Sequence, residues 1–135
     1  DSSLSFGMIR GGHIDTAVLG GMQVSRTGDL ANWMLPQRGV GNVGGAMDLA
    51  AGAKEVIVAM EHTDHRDQPK IVETCTYPIT GKECVTMIIT DLAVIRCSPE
   101  GLVLLEVAPG WTPEEVQELT GAKLILSPDL KEYEL

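Results

Sequence analysis

The chain has 135 residues, of which 44% are hydrophobic but only 4% aromatic, so we expect one compact core built from aliphatic side chains. The formal net charge of −9 at pH 7 disfavours nucleic acid and anionic membrane surfaces as partners and leaves small molecules and proteins. The three cysteines lack C-x-x-C spacing, which indicates a reducing compartment, and no apolar run approaches the length of a membrane helix.

The first half of the chain alternates short predicted helices and strands. Good N-cap residues precede a helix over residues 4–9, and residues 14–19 have the composition of a strand closed by glycines. Turn-forming residues at 25–29 predict a short hairpin. A helix of good helix formers over 46–53 leads into the apolar run 56–60, which predicts a buried, parallel strand.

The second half begins with the most polar segment, residues 61–70, which predicts a solvated loop. Residues 71–77 alternate as a strand does, and the apolar spacing within 83–90 predicts a short helix. Residues 92–96 and 102–107 are joined by a turn with proline and glycine, so they predict a hairpin.

The last predicted helix has the clearest boundaries. Thr112 is a good N-cap, Pro113 suits the first helical position, Glu115 completes a capping box, and Gly121 follows the helix end. No internal repeat, low-complexity stretch or domain linker is visible. Strands that alternate with short helices, followed by a hairpin, predict a single mixed-sheet α/β domain.

The glycine-rich stretch at 39–45 matches the pattern G-x-G-x-x-G and has an acidic residue, Glu61, further along. A dinucleotide-binding fingerprint needs a buried strand that runs straight into the first glycine, but Pro36, Gln37 and Arg38 occupy that place. We therefore reject that interpretation. The glycines either allow backbone amides to approach an anion or oxyanion, or they only permit a tight, closely packed loop.

Several polar residues follow the apolar run. Glu61 lies where α/β proteins place functional groups, so it lines a site or acts as a nucleophile, or it is simply solvated or hydrogen-bonded. The spacing of His62, Asp64 and His65 allows metal ligation, but no third strong ligand is fixed nearby, so we predict a polar loop and no metal. Cys75, Cys84 and Cys97 have no activating pattern and are interpreted as small apolar residues.

Three segments in order resemble family I CoA-transferases of the 3-oxoacid type: residues 5–13 (SFGMIRGGH), 28–34 (GDLANWM) and 44–49 (GGAMDL). The resemblance continues through 60–63 (MEHT), 69–72 (PKIV) and 88–90 (IIT) into the last hairpin and helix. It implies an open mixed, largely parallel sheet flanked by helices, with a C-terminal hairpin and helix. It also implies that residues 1–135 are a single domain or the C-terminal part of the β-type half.

In that family, α-type and β-type halves together transfer CoA between carboxylic acids, and a glutamate of the β half forms a glutamyl-CoA thioester. That glutamate lies in a Ser-Glu-Asn-Gly-like motif upstream of the resembling region, and no such motif occurs here. We therefore assign no catalytic residue to this chain. By position, the resemblance assigns contacts to CoA or to the thioester oxygen to Asn42, Val43, Gly44, Gly45 and Ala46.

The resemblance further implies the partners and the compartment. The expected partners are an α-type subunit or domain, the N-terminal part of the β half, acyl-CoA and short carboxylic acids, within a hetero-oligomer. Coenzyme A is a substrate, and no resident cofactor is expected. The loop at 61–70 carries His65 and Arg66 where the family usually has a lysine, so Arg66 is the expected contact if this loop touches CoA phosphates. We expect a cytoplasmic protein, with the mitochondrial matrix as the alternative.

Two other functions remain open at this point. The first is a non-catalytic ligand-sensing or assembly domain on the same scaffold, because one fold hosts several functions. The second is a relative of sugar-phosphate isomerases, which would need a catalytic acid, a base and a phosphate loop on this chain. The sequence shows no convincing set of these.

Overall fold

The computed structural model describes residues 16–31 and 54–133. In these two ranges the chain forms nine strands and one helix: β1 (Thr16–Leu19), β2 (Gln23–Ser25), β3 (Leu30–Ala31), β4 (Glu55–Ala59), β5 (Ile71–Val72), β6 (Met87–Ile89), β7 (Ala93–Ser98), β8 (Gly101–Val107), α1 (Pro113–Glu118) and β9 (Leu124–Glu132). No helix in the described ranges has the length and apolar character needed to span a membrane.

The larger sheet has the strand order β1-β4-β6-β7-β8-β9 among the described residues. β1, β4 and β6 pair in parallel, β7 pairs antiparallel with β6 and β8 on its two sides, and β9 pairs in parallel with β8. Thus β7 runs against the other five described strands of this sheet. The mixed, largely parallel sheet expected from the resemblance is confirmed, while the helices expected over 4–9 and 46–53 lie outside the described residues.

A smaller sheet of the described residues has the order β3-β2-β5. β2 and β3 form the antiparallel hairpin that the turn residues at 25–29 predict, and β5 pairs in parallel with β2. The two sheets share one core, because apolar residues of both belong to the same cluster. Its fully buried apolar side chains include Leu30, Ile71, Ile88, Ile95, Leu102 and Leu104.

The helix predicted over 83–90 is wrong. The structure places the strand β6 in this segment, and Glu83 has a φ of 49°, which is incompatible with the start of an α-helix. Val85, Thr86, Ile88, Ile89 and Thr90 are β-branched, so they favour the extended conformation once neighbouring strands are present. The apolar spacing fitted a helix, but pairing with β4 and β7 decided the outcome.

Two further elements differ from expectation. The strand predicted over 71–77 is limited to β5, because the amides of Thr76 and Tyr77 donate to a side chain of β2 instead of to a strand partner. β9 was not predicted at all. Ser127, Pro128 and Asp129 within it have the composition of a turn, yet the strand pairs with β8 on both sides of a bulge.

The features with strong local signals match the structure. β4 is a parallel strand with Val56 and Val58 in the core, although its other face is partly open. β7 and β8 form the predicted hairpin. Helix α1 has the predicted capping box, in which the Thr112 hydroxyl accepts from the amide of Glu115 at 3.1 Å and the Glu115 carboxylate accepts from the amide of Thr112 at 2.9 Å.

Candidate functional site

Three parallel strands end together at one edge of the larger sheet. β1, β4 and β6 are neighbours with the same direction, so the segments that follow them lie side by side. The amide of Met60 donates to the carbonyl of Ile89 at 3.1 Å and thereby joins the ends of β4 and β6. Because open α/β sheets bind ligands beyond the carboxyl ends of their strands, we expect a functional site at this edge.

A cavity of about 490 Å³ opens at this edge, with walls from residues within 21–23, 61–70 and 76–77. Its volume lies in the range of small-molecule sites. The first wall passes close to the core because Gly21 has no side chain. A Cβ on Gly21 would lie 3.0 Å from Val58 Cγ1 and 3.1 Å from Leu30 Cδ1. Any larger residue would push the wall outward.

Gln23 holds the wall formed by Thr76 and Tyr77 in place. Its side chain is buried, and its Oε1 accepts from the amides of Thr76 at 2.8 Å and Tyr77 at 3.1 Å. Its Nε2 donates to the hydroxyl of Thr76 at 2.9 Å. All these contacts come from one buried amide group, so Thr76 and Tyr77 are fixed against β2 rather than left in a free loop.

The Asp64 carboxylate closes the polar loop after β4. One of its oxygens accepts from the amides of Arg66 at 2.7 Å and Gln68 at 2.9 Å. The bonds from Gln68 and Arg66 lower the pKa of Asp64 below its ordinary value, because they stabilise the charged form. Asp64 is thus a loop-forming residue. Within the described ranges, no three His, Cys, Asp or Glu residues are placed to hold a metal ion.

His62 ties the same loop to two other parts of the fold. Its amide donates to a carboxylate oxygen of Asp91 at 2.8 Å, and its carbonyl accepts from the amide of Lys70 at 3.1 Å. Its ring nitrogens Nδ1 and Nε2 each lie 2.8 Å from a hydroxyl, that of Thr90 and that of Thr120 respectively. The His62 side chain is 0% exposed, so it stabilises the fold and is not accessible as a ligand for a metal ion or a substrate.

The two threonines determine which ring nitrogen carries the proton. The Thr120 hydroxyl donates to a carbonyl of α1 at 2.7 Å, so its oxygen accepts from Nε2–H. The Thr90 hydroxyl donates to Nδ1 at 2.8 Å, since its other acceptor, the Ala93 carbonyl, is 3.5 Å away. Burial lowers the pKa of His62 from 6.5 to about 4, although the Asp91 carboxylate acts in the opposite direction. His62 is therefore neutral, with its proton on Nε2.

Two charged residues of the cavity walls differ in exposure. Glu61 is exposed at the end of β4, whereas Lys70 is half-buried where the polar loop returns to the smaller sheet. The amide of Val24 donates to the carbonyl of Lys70 at 3.0 Å, so backbone hydrogen bonds fix Lys70 on both sides. Arg66 is exposed on the same loop and is not among the residues lining the cavity.

The expected CoA contacts, Asn42, Val43, Gly44, Gly45 and Ala46, lie outside the described residues. Their assignment therefore stays a prediction.

The three cysteines are half-buried and free of disulfides. Burial raises the pKa of Cys75 to about 11 and that of Cys97 to about 12, and it also raises the pKa of Cys84. All three are protonated thiols near neutral pH, so none is an activated nucleophile. This agrees with their interpretation as small apolar residues.

The family model for Coenzyme A transferase matches residues 1–119 of the chain. The chain belongs to the coenzyme A transferase family. The rejected dinucleotide-binding pattern at 39–45 lies inside the matched range. The open sheet and the strand-end cavity described above are thus parts of a coenzyme A transferase fold.

Curated coenzyme A transferases resemble the chain over most of its length. One subunit of the probable succinyl-CoA:3-ketoacid coenzyme A transferase of Bacillus subtilis (strain 168) is 51% identical over 94% of this chain and 59% of its own length. One subunit of the 3-oxoadipate CoA-transferase of Acinetobacter baylyi is 52% identical over 90% of this chain and 56% of its own length. The chain thus spans somewhat more than half of each of these relatives.

A solved coenzyme A transferase structure has the same fold. The apoenzyme of the acyl-CoA transferase YdiF from Escherichia coli O157:H7 matches 96% of this chain and 29% of its own, with a TM-score of 0.79 and 22% identity. At that identity the match supports the architecture alone.

Reasoning from the sequence missed two of the residues that build the cavity. Gln23 is a polar residue between apolar neighbours in a strand, and such a residue is buried only when its hydrogen bonds are satisfied, so its position was a usable signal. Lys70 lies in a segment that carried the resemblance to coenzyme A transferases but received no role there. The pairing of β2 with β5 brings both residues to one cavity.

Proposed function

We propose that this chain is part of a CoA-transferase that moves coenzyme A between a donor acyl-CoA, such as succinyl-CoA or acetyl-CoA, and a short 3-oxoacid. The observation that carries the proposal is about 50% identity, over at least nine-tenths of the chain, to curated subunits of CoA-transferases. The acids in the names of both relatives carry a 3-oxo group, which supports this substrate class. The relatives' names do not favour the alternative of a non-catalytic sensing or assembly domain.

The proposed reaction forms a covalent enzyme intermediate outside this chain. A glutamate carboxylate attacks the thioester carbonyl, which releases CoA thiolate and leaves a mixed acyl-glutamyl anhydride. The thiolate then attacks the glutamyl carbonyl and releases the donor acid, so that a glutamyl-CoA thioester remains. The acceptor acid reverses both steps. The glutamate belongs to a Ser-Glu-Asn-Gly-like segment, and no residue of this chain takes the covalent role.

The chain would contribute binding surfaces around that glutamate. The backbone amides at Asn42, Val43, Gly44, Gly45 and Ala46 would hold CoA or the thioester oxygen. A donor of this kind is worth about 3 kcal/mol in an oxyanion hole. The described cavity supplies a second wall at the strand ends. Coenzyme A acts here as a substrate, and no resident cofactor enters the scheme.

Completing the site requires partners. We propose that residues 1–135 form the C-terminal part of the β-type domain, joined by the N-terminal part of the β half and by an α-type subunit or domain in a hetero-oligomer. This arrangement is supported by the names of the relatives, which designate each of them as one subunit of a transferase. A cytoplasmic location is proposed, with the mitochondrial matrix as the alternative, because one relative 51% identical to this chain is named mitochondrial.

Mass spectrometry of the full-length protein and its co-purifying partner tests the proposal. After incubation with succinyl-CoA and no acceptor, we expect a peptide containing the Ser-Glu-Asn-Gly-like segment to carry CoA in thioester linkage. Acetoacetate should remove the adduct. Replacing that glutamate by glutamine is the matched control and should abolish it. A wild-type complex that never acquires CoA from any acyl-CoA would refute the proposed function.

A further inference from the structure

Lys70 stands out among the charged residues that the structure describes around the cavity. It is the one lysine or arginine among the described cavity-lining residues, and it is half-buried. Its backbone is fixed by hydrogen bonds to His62 and Val24 at 3.1 and 3.0 Å. Within the described ranges its ammonium group makes no hydrogen bond and no ion pair.

A cation whose backbone is fixed, and which has no partner among the residues described around this concave site, needs an anion or solvent. The two carboxylates of the same walls do not take that role. Asp64 directs a carboxylate oxygen to two amides of its own loop, and Glu61 is exposed and makes no hydrogen bond within the described residues. The chain has a formal net charge of −9, so its surface as a whole repels anions. Lys70 provides a local attraction for an anion inside the cavity.

The charge of the walls favours a carboxylate over a phosphate. A phosphate monoester carries about −1.5 to −2 charges at neutral pH, and strong phosphate sites combine several cations or amides. Here one ammonium group lies in walls that also carry two acidic residues, so a singly charged anion is repelled less than a doubly charged one. The flexible lysine stem also suits a small anion whose position varies between substrates.

We infer that Lys70 binds the free carboxylate at the far end of a dicarboxylic acyl group, and that it makes the cavity selective for such acyl donors over monocarboxylic ones. The inference rests on the proposed function and deepens it. Lys70 touches the substrate away from the reacting carbonyl, so it determines specificity and takes no part in the bond changes.

The test compares two donors with one acceptor in the full-length complex. Acetoacetyl-CoA formation from acetoacetate is measured with succinyl-CoA, which has a free carboxylate, and with acetyl-CoA, which has none. For Lys70→Met, the ratio of kcat/KM for succinyl-CoA to that for acetyl-CoA should fall by about 10- to 100-fold, the range expected for one charge-assisted hydrogen bond. Lys70→Arg should restore most of the ratio. Lys123→Met is the matched control: it removes an exposed lysine outside the cavity and should leave the kcat/KM ratio unchanged.

An unchanged kcat/KM ratio in Lys70→Met overturns the inference. This holds whether the kcat/KM values for the two donors both stay at the wild-type level or both fall by the same factor. Parallel slowing would assign Lys70 to a group common to all CoA thioesters, such as a phosphate, or to the fold. Inhibition of the wild-type complex provides a measurement that needs no variant. Succinate should inhibit at about 10-fold lower concentration than butyrate, and equal inhibition contradicts the carboxylate contact. Absence of transfer by the wild type refutes the proposed function itself.

Discussion

The neutral state of His62 predicts a specific sensitivity to acid. Burial holds the pKa of this imidazole at about 4 in the folded protein, compared with 6.5 in the unfolded chain. Between these values the unfolded chain binds a proton that the folded protein does not bind. The stability that neutral His62 contributes is therefore complete above pH 6.5 and is lost as the pH falls to about 4. At about 1.4 kcal/mol per pH unit, the loss amounts to about 3 kcal/mol.

Urea unfolding of the full-length protein at pH 7 and pH 4 measures this loss. His62→Gln keeps one donor and one acceptor but cannot titrate, so it should cost about 1–3 kcal/mol at pH 7 through imperfect hydrogen bonds. The stability advantage of the wild type over the variant should then fall by about 3 kcal/mol between pH 7 and pH 4, so that at pH 4 the variant is as stable as the wild type or more stable. His65→Gln, which removes an exposed histidine of the same loop, should keep the pH dependence of the wild type.

The hydrogen bonds of His62 make the same prediction testable without a variant. NMR spectra of the protein with 15N-labelled histidine should show the proton on Nε2 at pH 7 and no protonation of Nδ1 until the pH approaches 4. A His62 ring that is charged at pH 6 would refute the reasoning. So would wild type and His62→Gln losing stability in parallel between pH 7 and pH 4.

Three further predictions concern single side chains. Gln23→Ala removes the acceptor of the Thr76 and Tyr77 amides, so these two amides should exchange with solvent faster by at least about tenfold in hydrogen-exchange mass spectrometry. Protection equal to that of the wild type would contradict this role of Gln23. Gly121→Ala places a Cβ 2.9 Å from a backbone oxygen of β5 and should lower the melting temperature by several degrees. In the control Gly20→Ala the new Cβ has no atom within 4 Å, so the melting temperature should stay nearly unchanged. Thr112→Ala removes the α1 cap and should cost about 1 kcal/mol in urea unfolding, and an unchanged midpoint would contradict the capping box.

Local signals explain which parts of the fold could be predicted from sequence. The helix α1 is specified by Thr112, Pro113 and Glu115 acting within one turn, so no distant residue is needed to find it. The apolar run of β4 and the turn between β2 and β3 are equally local. Segments that satisfied two patterns were mispredicted. The spacing within 85–89 fits a helix face, while long-range pairing with β4 and β7 makes it a strand.

The strand β9 and the cavity depend on contacts between distant parts of the chain. Pro128 within β9 suggests a break, and only the pairing with β8 reveals a strand. The resemblance of short motifs indicated the family and the sheet, because each motif is a run of neighbouring residues that can be recognised in the sequence alone. It could not show that Gln23 and Lys70 meet in one cavity, since that follows from the register of β2 against β5. The predicted contacts at 42–46 lie outside the described residues.

The most direct test of the account is an exchange assay without an acceptor acid. The full-length complex is mixed with succinyl-CoA and isotopically labelled succinate, and the label is followed into succinyl-CoA. A transferase that forms a glutamyl-CoA thioester can run its first half-reaction forward and backward, so we predict label exchange at a rate comparable to net transfer. If label enters succinyl-CoA only when a second acid is present, or never enters it, the chain is not part of such an enzyme.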